Sequence, residues 1–184
     1  GLYTPRCDQL VERLLHWQWP DGGWNCDGNP DANTSSFNES LLPLRALGLY
    51  ERSHPGPELH DAVDRAAEVF LTRKLFRRRS TGAIVRQDFT RLHYPLYWHY
   101  DILGALKVMV EIGRIGDPRC APALDLLESK QLPDCGWPAE AMYYTWRKKT
   151  GSGSDFVYWG GTSKVRMNEW VTADALGVLA AAGR

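Results

Sequence analysis

The sequence predicts an all-α fold: a two-layer α/α arc or toroid, half a barrel, built from about three helical hairpins. Three observations predict it. Apolar residues recur at helical spacing almost throughout the chain. The helices alternate between amphipathic ones and ones that are apolar on more than one face, as an outer and an inner layer require. A Gln…Pro-Asp…Gly-Trp turn occurs twice, its two tryptophans 113 residues apart.

The first helix is expected over roughly 5–17, where Leu10, Val11, Leu14 and Leu15 form a narrow stripe. A loop rich in Gly, Asn and Asp follows. Ser35 or Ser36 is the expected N-cap of the second helix, with Glu39 completing a capping box, and the helix runs to about Leu49. It carries Leu41, Leu42, Leu44, Leu47 and Leu49 and is apolar on most sides. The third starts near Pro57 and buries Val63, Ala66, Ala67, Phe70 and Leu71 along one stripe. The fourth is expected from Pro95, apolar nearly all round from Ile102 to Ile112. The fifth, from about Pro118, is amphipathic, with Leu124 and Leu127 inward. A loop over roughly 132–162 leads to the sixth, at about 164–182. Odd helices are therefore expected outside and even helices inside.

The repeat aligns LLHWQWPDGGW with LLESKQLPDCGW, pairing Gln18 with Gln131, Asp21 with Asp134, Gly23 with Gly136 and Trp24 with Trp137. Half the offset is about the length of one long helical hairpin, so a middle copy belongs near Lys74, where KLFRRRSTG replaces the motif. These residues are expected to stitch one repeat to the next. Gln serves the exposed helix-end groups, glycines make the turn, and Trp covers it against the neighbouring hairpin.

Composition narrows the function. Lys and Arg number 22 against 22 Asp and Glu, which argues against nucleic acid as a partner. No apolar run nears the roughly 18 residues of a membrane span. The opening GLYTPRCDQL lacks the apolar core of a signal peptide, and four cysteines are read as reduced thiols, so the expected setting is cytoplasmic. Cys26, Asp27, His93, His99 and Cys135 are scattered, without Cys-x-x-Cys or His-x-x-x-His spacing, so neither metal nor cofactor is expected. Nucleophile-elbow, Walker and dinucleotide motifs are absent. The basic run Arg73, Lys74, Arg77, Arg78 and Arg79, with Arg86 and Arg91 beyond, suits either a diphosphate or anionic headgroup, or a solvated helix end.

The Gln…Asp-Gly-Gly-Trp turn resembles the repeat motif of the terpenoid cyclase and protein prenyltransferase α/α-toroid superfamily. The strings DGGWNC, FTRLHYPLYWHYD and GTSKVRMNEWVTADALGVL are similar to bacterial prenyltransferase/squalene-oxidase repeat proteins. The resemblance covers the whole chain, 1–184, as a single repeat domain. It implies the C-terminal half of a longer ring, so that an upstream half or a second copy of the chain would cover the inner helices. It also implies an isoprenoid or similarly hydrophobic substrate in an aromatic-lined cavity. The superfamily's Asp-x-Asp-Asp, Asp-Asp-x-x-Asp and Asp-x-Cys strings are all missing here.

By analogy with that architecture, the N-terminal ends of the inner helices face the cavity. Substrate-binding candidates are Phe37, Glu39, His93, Tyr94, Tyr97, Trp98 and Trp170; the candidate acids are His99, Asp101 and Glu169. Helical spacing places Tyr97 with Asp101 and Tyr94 with Trp98, and His99 beside Asp101 is expected to form an acid–base pair. The other reading is a non-catalytic scaffold for a lipid or protein partner. A carbohydrate-processing barrel finds no carboxylate pair to support it.

Overall fold

The computed structural model describes residues 4–29, 31–144 and 157–184. Among them the chain forms six α-helices and no named strand. They are α1 (Pro5–His16), α2 (Phe37–Glu51), α3 (Pro57–Leu71), α4 (Ile102–Glu111), α5 (Ala121–Glu128) and α6 (Glu169–Ala181). The all-α expectation holds. The even helices touch in sequence, α2 on α4 and α4 on α6, while α1 and α3 pack on α2 and α5 packs on α4. None is long and apolar enough to cross a membrane.

Burial follows this order. Helix α4 buries Ile102 through Leu106 together with Val108 and Met109, so it is enclosed on nearly every side. Helices α2 and α6 depart from the expected all-round burial. Leu42 on α2 and both Trp170 and Leu176 on α6 are exposed. Charge ties α3 to the stretch between α4 and α5. Arg119, before α5, forms a two-pronged pair with Glu68 of α3 at 2.7 and 2.8 Å, and Arg114 pairs with Asp64.

Two helix starts differ from the sequence reading. Helix α4 begins at Ile102, seven residues past Pro95, and α6 at Glu169 rather than near 164. Residues 95–100 turn instead, with Tyr97 at φ 47° and the His99 N–H on the Leu96 carbonyl at 3.0 Å. The helical faces expected to group Tyr97 with Asp101 and Tyr94 with Trp98 are therefore not formed. Ser36 does stand at the N-cap of α2, but its side chain makes no cap bond, and Glu39 accepts from the Cys26 N–H instead.

The repeated turn keeps the same backbone and tryptophan bonds in both copies. The Trp19 N–H donates to the Gly23 carbonyl and the Leu132 N–H to the Gly136 carbonyl, both at 2.8 Å. The Trp24 indole N–H donates to Leu14 at 3.0 Å, and that of Trp137 to Leu127 at 2.7 Å, each satisfying a last-turn carbonyl of its own outer helix. The backbone of each Trp then binds the following inner helix. Trp24 bonds to Ser36 N–H and the Ser40 hydroxyl, Trp137 to Asn168 N–H and the Thr172 hydroxyl. Gly22 and Cys135 occupy the same left-handed position, at φ 100° and 65°.

Gln18 reaches the next hairpin. Its amide donates to Gly22 at 2.7 Å and to the Ala62 carbonyl of α3 at 2.8 Å, and Arg65 donates to its oxygen. Gln131 repeats only the first of these, to Cys135 at 3.2 Å. Asp21 binds the Ser35 N–H at 2.7 Å, whereas Asp134 binds the Gly136 N–H within its own turn at 3.1 Å. The middle copy has no such turn. There the Tyr100 hydroxyl donates to the Leu75 carbonyl, an aromatic donor again closing the end of an outer segment.

Gly22 combines positive φ with a backbone carbonyl, that of Arg65, where a Cβ would stand. Gly22→Ala is expected to cost about 2 kcal/mol or more. Urea unfolding checks this, and an unchanged midpoint would refute the close approach.

Candidate functional site

The site forms where the chain enters α4. Residues 91–93 lie against 139–141. Leu92 N–H donates to the Glu140 carboxylate at 2.9 Å, and Glu140 and Ala141 N–H both donate to the Leu92 carbonyl. Lys130 holds the same carboxylate at 2.8 and 2.9 Å. This fixes His93 beside the first turn of α4, whose N–H groups have no partners within the helix.

Asp101 supplies them. One carboxylate oxygen accepts from Gly104 N–H at 2.7 Å and caps α4. The other accepts from His93 N–H at 3.0 Å and stands 2.9 Å from His93 Nδ1. Both side chains are 1% exposed. Burial opposes a charge on His93, but the hydrogen bond and negative charge of Asp101 outweigh it and hold its pKa above the usual imidazole value. His93 Nε2 is buried with no hydrogen-bond partner among the described residues.

The structure thus pairs Asp101 with His93, not with His99. His99 stacks between Trp98 (ring centroids 4.1 Å apart) and Tyr143 (3.9 Å). Burial, and then the neighbouring His93, push its pKa below the usual value. It lines a separate recess of about 230 Å³ with Asn38, Asp88 and Tyr143.

On the other side, His93 and Asp101 form part of the wall of a groove of about 270 Å³ between α2 and α4. Leu41, Leu42, Leu96, Leu103 and Val108 make it apolar, and Arg45, Lys107 and Asp174 add charge. Lys107 and Asp174 pair at 2.6 Å, and Arg45 is held by Glu111 at 2.6 and 2.7 Å. Tyr94 and Tyr97 line the groove. Tyr94 stacks on Trp170 at 5.3 Å, with Trp159 edge-on to both.

Of the ten candidates, His93, Tyr94, Tyr97 and Asp101 line this groove, and Trp170 packs on Tyr94 beside it. His99 and Trp98 belong to the other recess. Phe37 is a core residue, 6% exposed, in ring contact with Phe70, Phe89 and Tyr100. Glu39 faces a depression beside Trp17, Trp24 and Cys26. Glu169 opens α6 on the exposed surface and lines neither cavity. Trp159 and Tyr143 were not among the candidates; only their aromatic character marked them. Trp146 lies outside the described residues. Among those described, no three His, Cys, Asp or Glu side chains meet as a metal site would need. Compared with known proteins, the chain matches no family model, no curated protein and no solved structure.

His93 should titrate above about 6.5 and His99 below it, followed by imidazole NMR. Folding favours the charged His93. Its contribution to stability is therefore complete below the unfolded pKa and is lost as pH rises through the higher folded value. Asp101→Asn should drop the His93 pKa below that of the wild type and cost about 3 kcal/mol, because a buried partner is removed. An unmoved His93 titration would contradict the pairing.

Proposed function

We propose that this is an α/α-repeat domain of the terpenoid cyclase and prenyltransferase kind, binding an isoprenoid or similarly hydrophobic molecule in the α2–α4 groove. The observation that carries the reading is the groove itself, with apolar walls, an aromatic side at Tyr94, Tyr97 and Trp170, and a buried His–Asp pair in its lining. Support for the toroid comes from the touching even helices and from two Trp-closed turns with the same bonds. At about 270 Å³ the groove falls just below the roughly 300–1,000 Å³ usual for small-molecule sites, so it suits part of a prenyl chain rather than a polycycle. The exposed Trp170 and Leu176 of α6 support an upstream half or second copy lying against the row. A cytoplasmic setting belongs to the same reading.

In this reading His93, rather than His99 or Glu169, is the acid–base group. Asp101 stabilises its charged form, and it lines the apolar groove. The non-catalytic alternative draws support from Asp101 itself, whose oxygens are already engaged by the helix cap and the His93 backbone.

Farnesol titrated into the protein should alter tryptophan fluorescence, and Leu42→Glu should weaken its binding at least about tenfold while leaving the fold intact, since Leu42 is 42% exposed. Equal binding by the variant would refute the groove. Turnover of a prenyl substrate that is lost in His93→Gln would favour the enzyme; binding without turnover would favour the scaffold.

A further inference from the structure

Another cavity, of about 510 Å³, shares no lining residue with the apolar groove and adjoins the His99 recess through Asn38, Arg86 and Phe89. Four arginines line it, Arg73, Arg78, Arg79 and Arg86, and no carboxylate does. In a chain of zero formal charge this concentration of one sign is local, and the acids beside it, Asp21 near Arg73 and Asp88 near Arg86, lie outside the lining.

The arginines are of two kinds. Arg73 and Arg86 are seated in advance. Each guanidinium carbon lies 5.8 Å from the centroid of a buried ring, Arg73 over Phe37 and Arg86 over Phe89, and the two rings are themselves 5.3 Å apart. Arg73 also donates to the Val69 carbonyl at 2.8 Å. Arg86 lies 3.4 Å from Asp88, an acid outside the cavity lining. Arg78 and Arg79 are exposed, without a side-chain partner among the described residues. They sit on a tight reversal closed by Arg78 N–H to Ala83 (2.7 Å) and Val85 N–H to Phe76 (2.9 Å), which brings them round to the other two. Ser36 and Ser80 add hydroxyls to the lining, and that of Ser36 is not used to cap α2.

Holding four guanidinium groups around one space costs free energy through mutual repulsion unless an anion lies among them. Planar, permanently charged forks suit the paired oxygens of a phosphate group. We propose that this cavity is a binding site for a multivalent phosphate-type oxyanion, carried either by a soluble ligand or by a lipid headgroup. The site is independent of the isoprenoid reading and stands or falls without it.

The test is calorimetric titration of the full chain with inorganic pyrophosphate, and flotation with phosphatidic acid vesicles. The variants are Arg78→Ala/Arg79→Ala, which touches no core contact, and the charge-matched control Arg6→Ala/Arg13→Ala on exposed positions of α1. The first pair should weaken binding at least about tenfold and the control less than about twofold. Binding of pyrophosphate identifies a soluble ligand; binding of vesicles alone identifies a headgroup, and either supports the site. If neither probe separates wild type from the first pair, or if the control loses as much, the proposal is overturned.

Discussion

A buried helix terminus must find partners for its free N–H groups, and at the centre of this molecule that demand falls on Asp101. Helix α4 touches α2, α5 and α6 and is the most enclosed element. Water cannot serve its first turn, so a carboxylate does. Burying that charge would be costly alone. The His93 backbone and imidazole offset it, and they in turn are positioned by the 139–141 segment through Glu140 and Lys130. The apolar groove, with its aromatic side, is built against this one carboxylate and its histidine partner.

The same logic explains the repeated turns. Helices α1 and α5 each end with a carbonyl that an indole N–H from ten residues on meets. The rest of the motif adapts to its neighbours. Gln18 has α3 within reach and bonds to it; Gln131 bonds only within its turn. Cys135 shows that the left-handed position tolerates a side chain where no backbone crowds it, whereas Gly22 lies against Arg65.

Much of the fold was legible because helix periodicity, Pro at helix starts and the Gln…Trp repeat are local signals. Helix α3 starts at Pro57 as read, and α1 ends within a residue of its expected limit. The start of α4 was hidden because Tyr94, Tyr97 and Trp98 carry helical spacing on a non-helical turn. The site was half legible. Asp101 was readable as important, yet its partner was assigned to the nearer His99. Choosing His93 depends on the pairing of 91–93 with 139–141, a contact across almost fifty residues that no local pattern announces. The burial of Phe37 depends likewise on Phe70 and Phe89, both distant in sequence.

The Trp-to-carbonyl latch has a consequence for how the chain finds its structure in time. Leu14 to Trp24 and Leu127 to Trp137 are loops of ten residues, and closing such a loop takes on the order of 10–100 ns and little entropy. The row α2–α4–α6 instead joins segments some sixty residues apart. The turns can therefore snap shut early and independently. Docking onto α4 then becomes the slow, committed event.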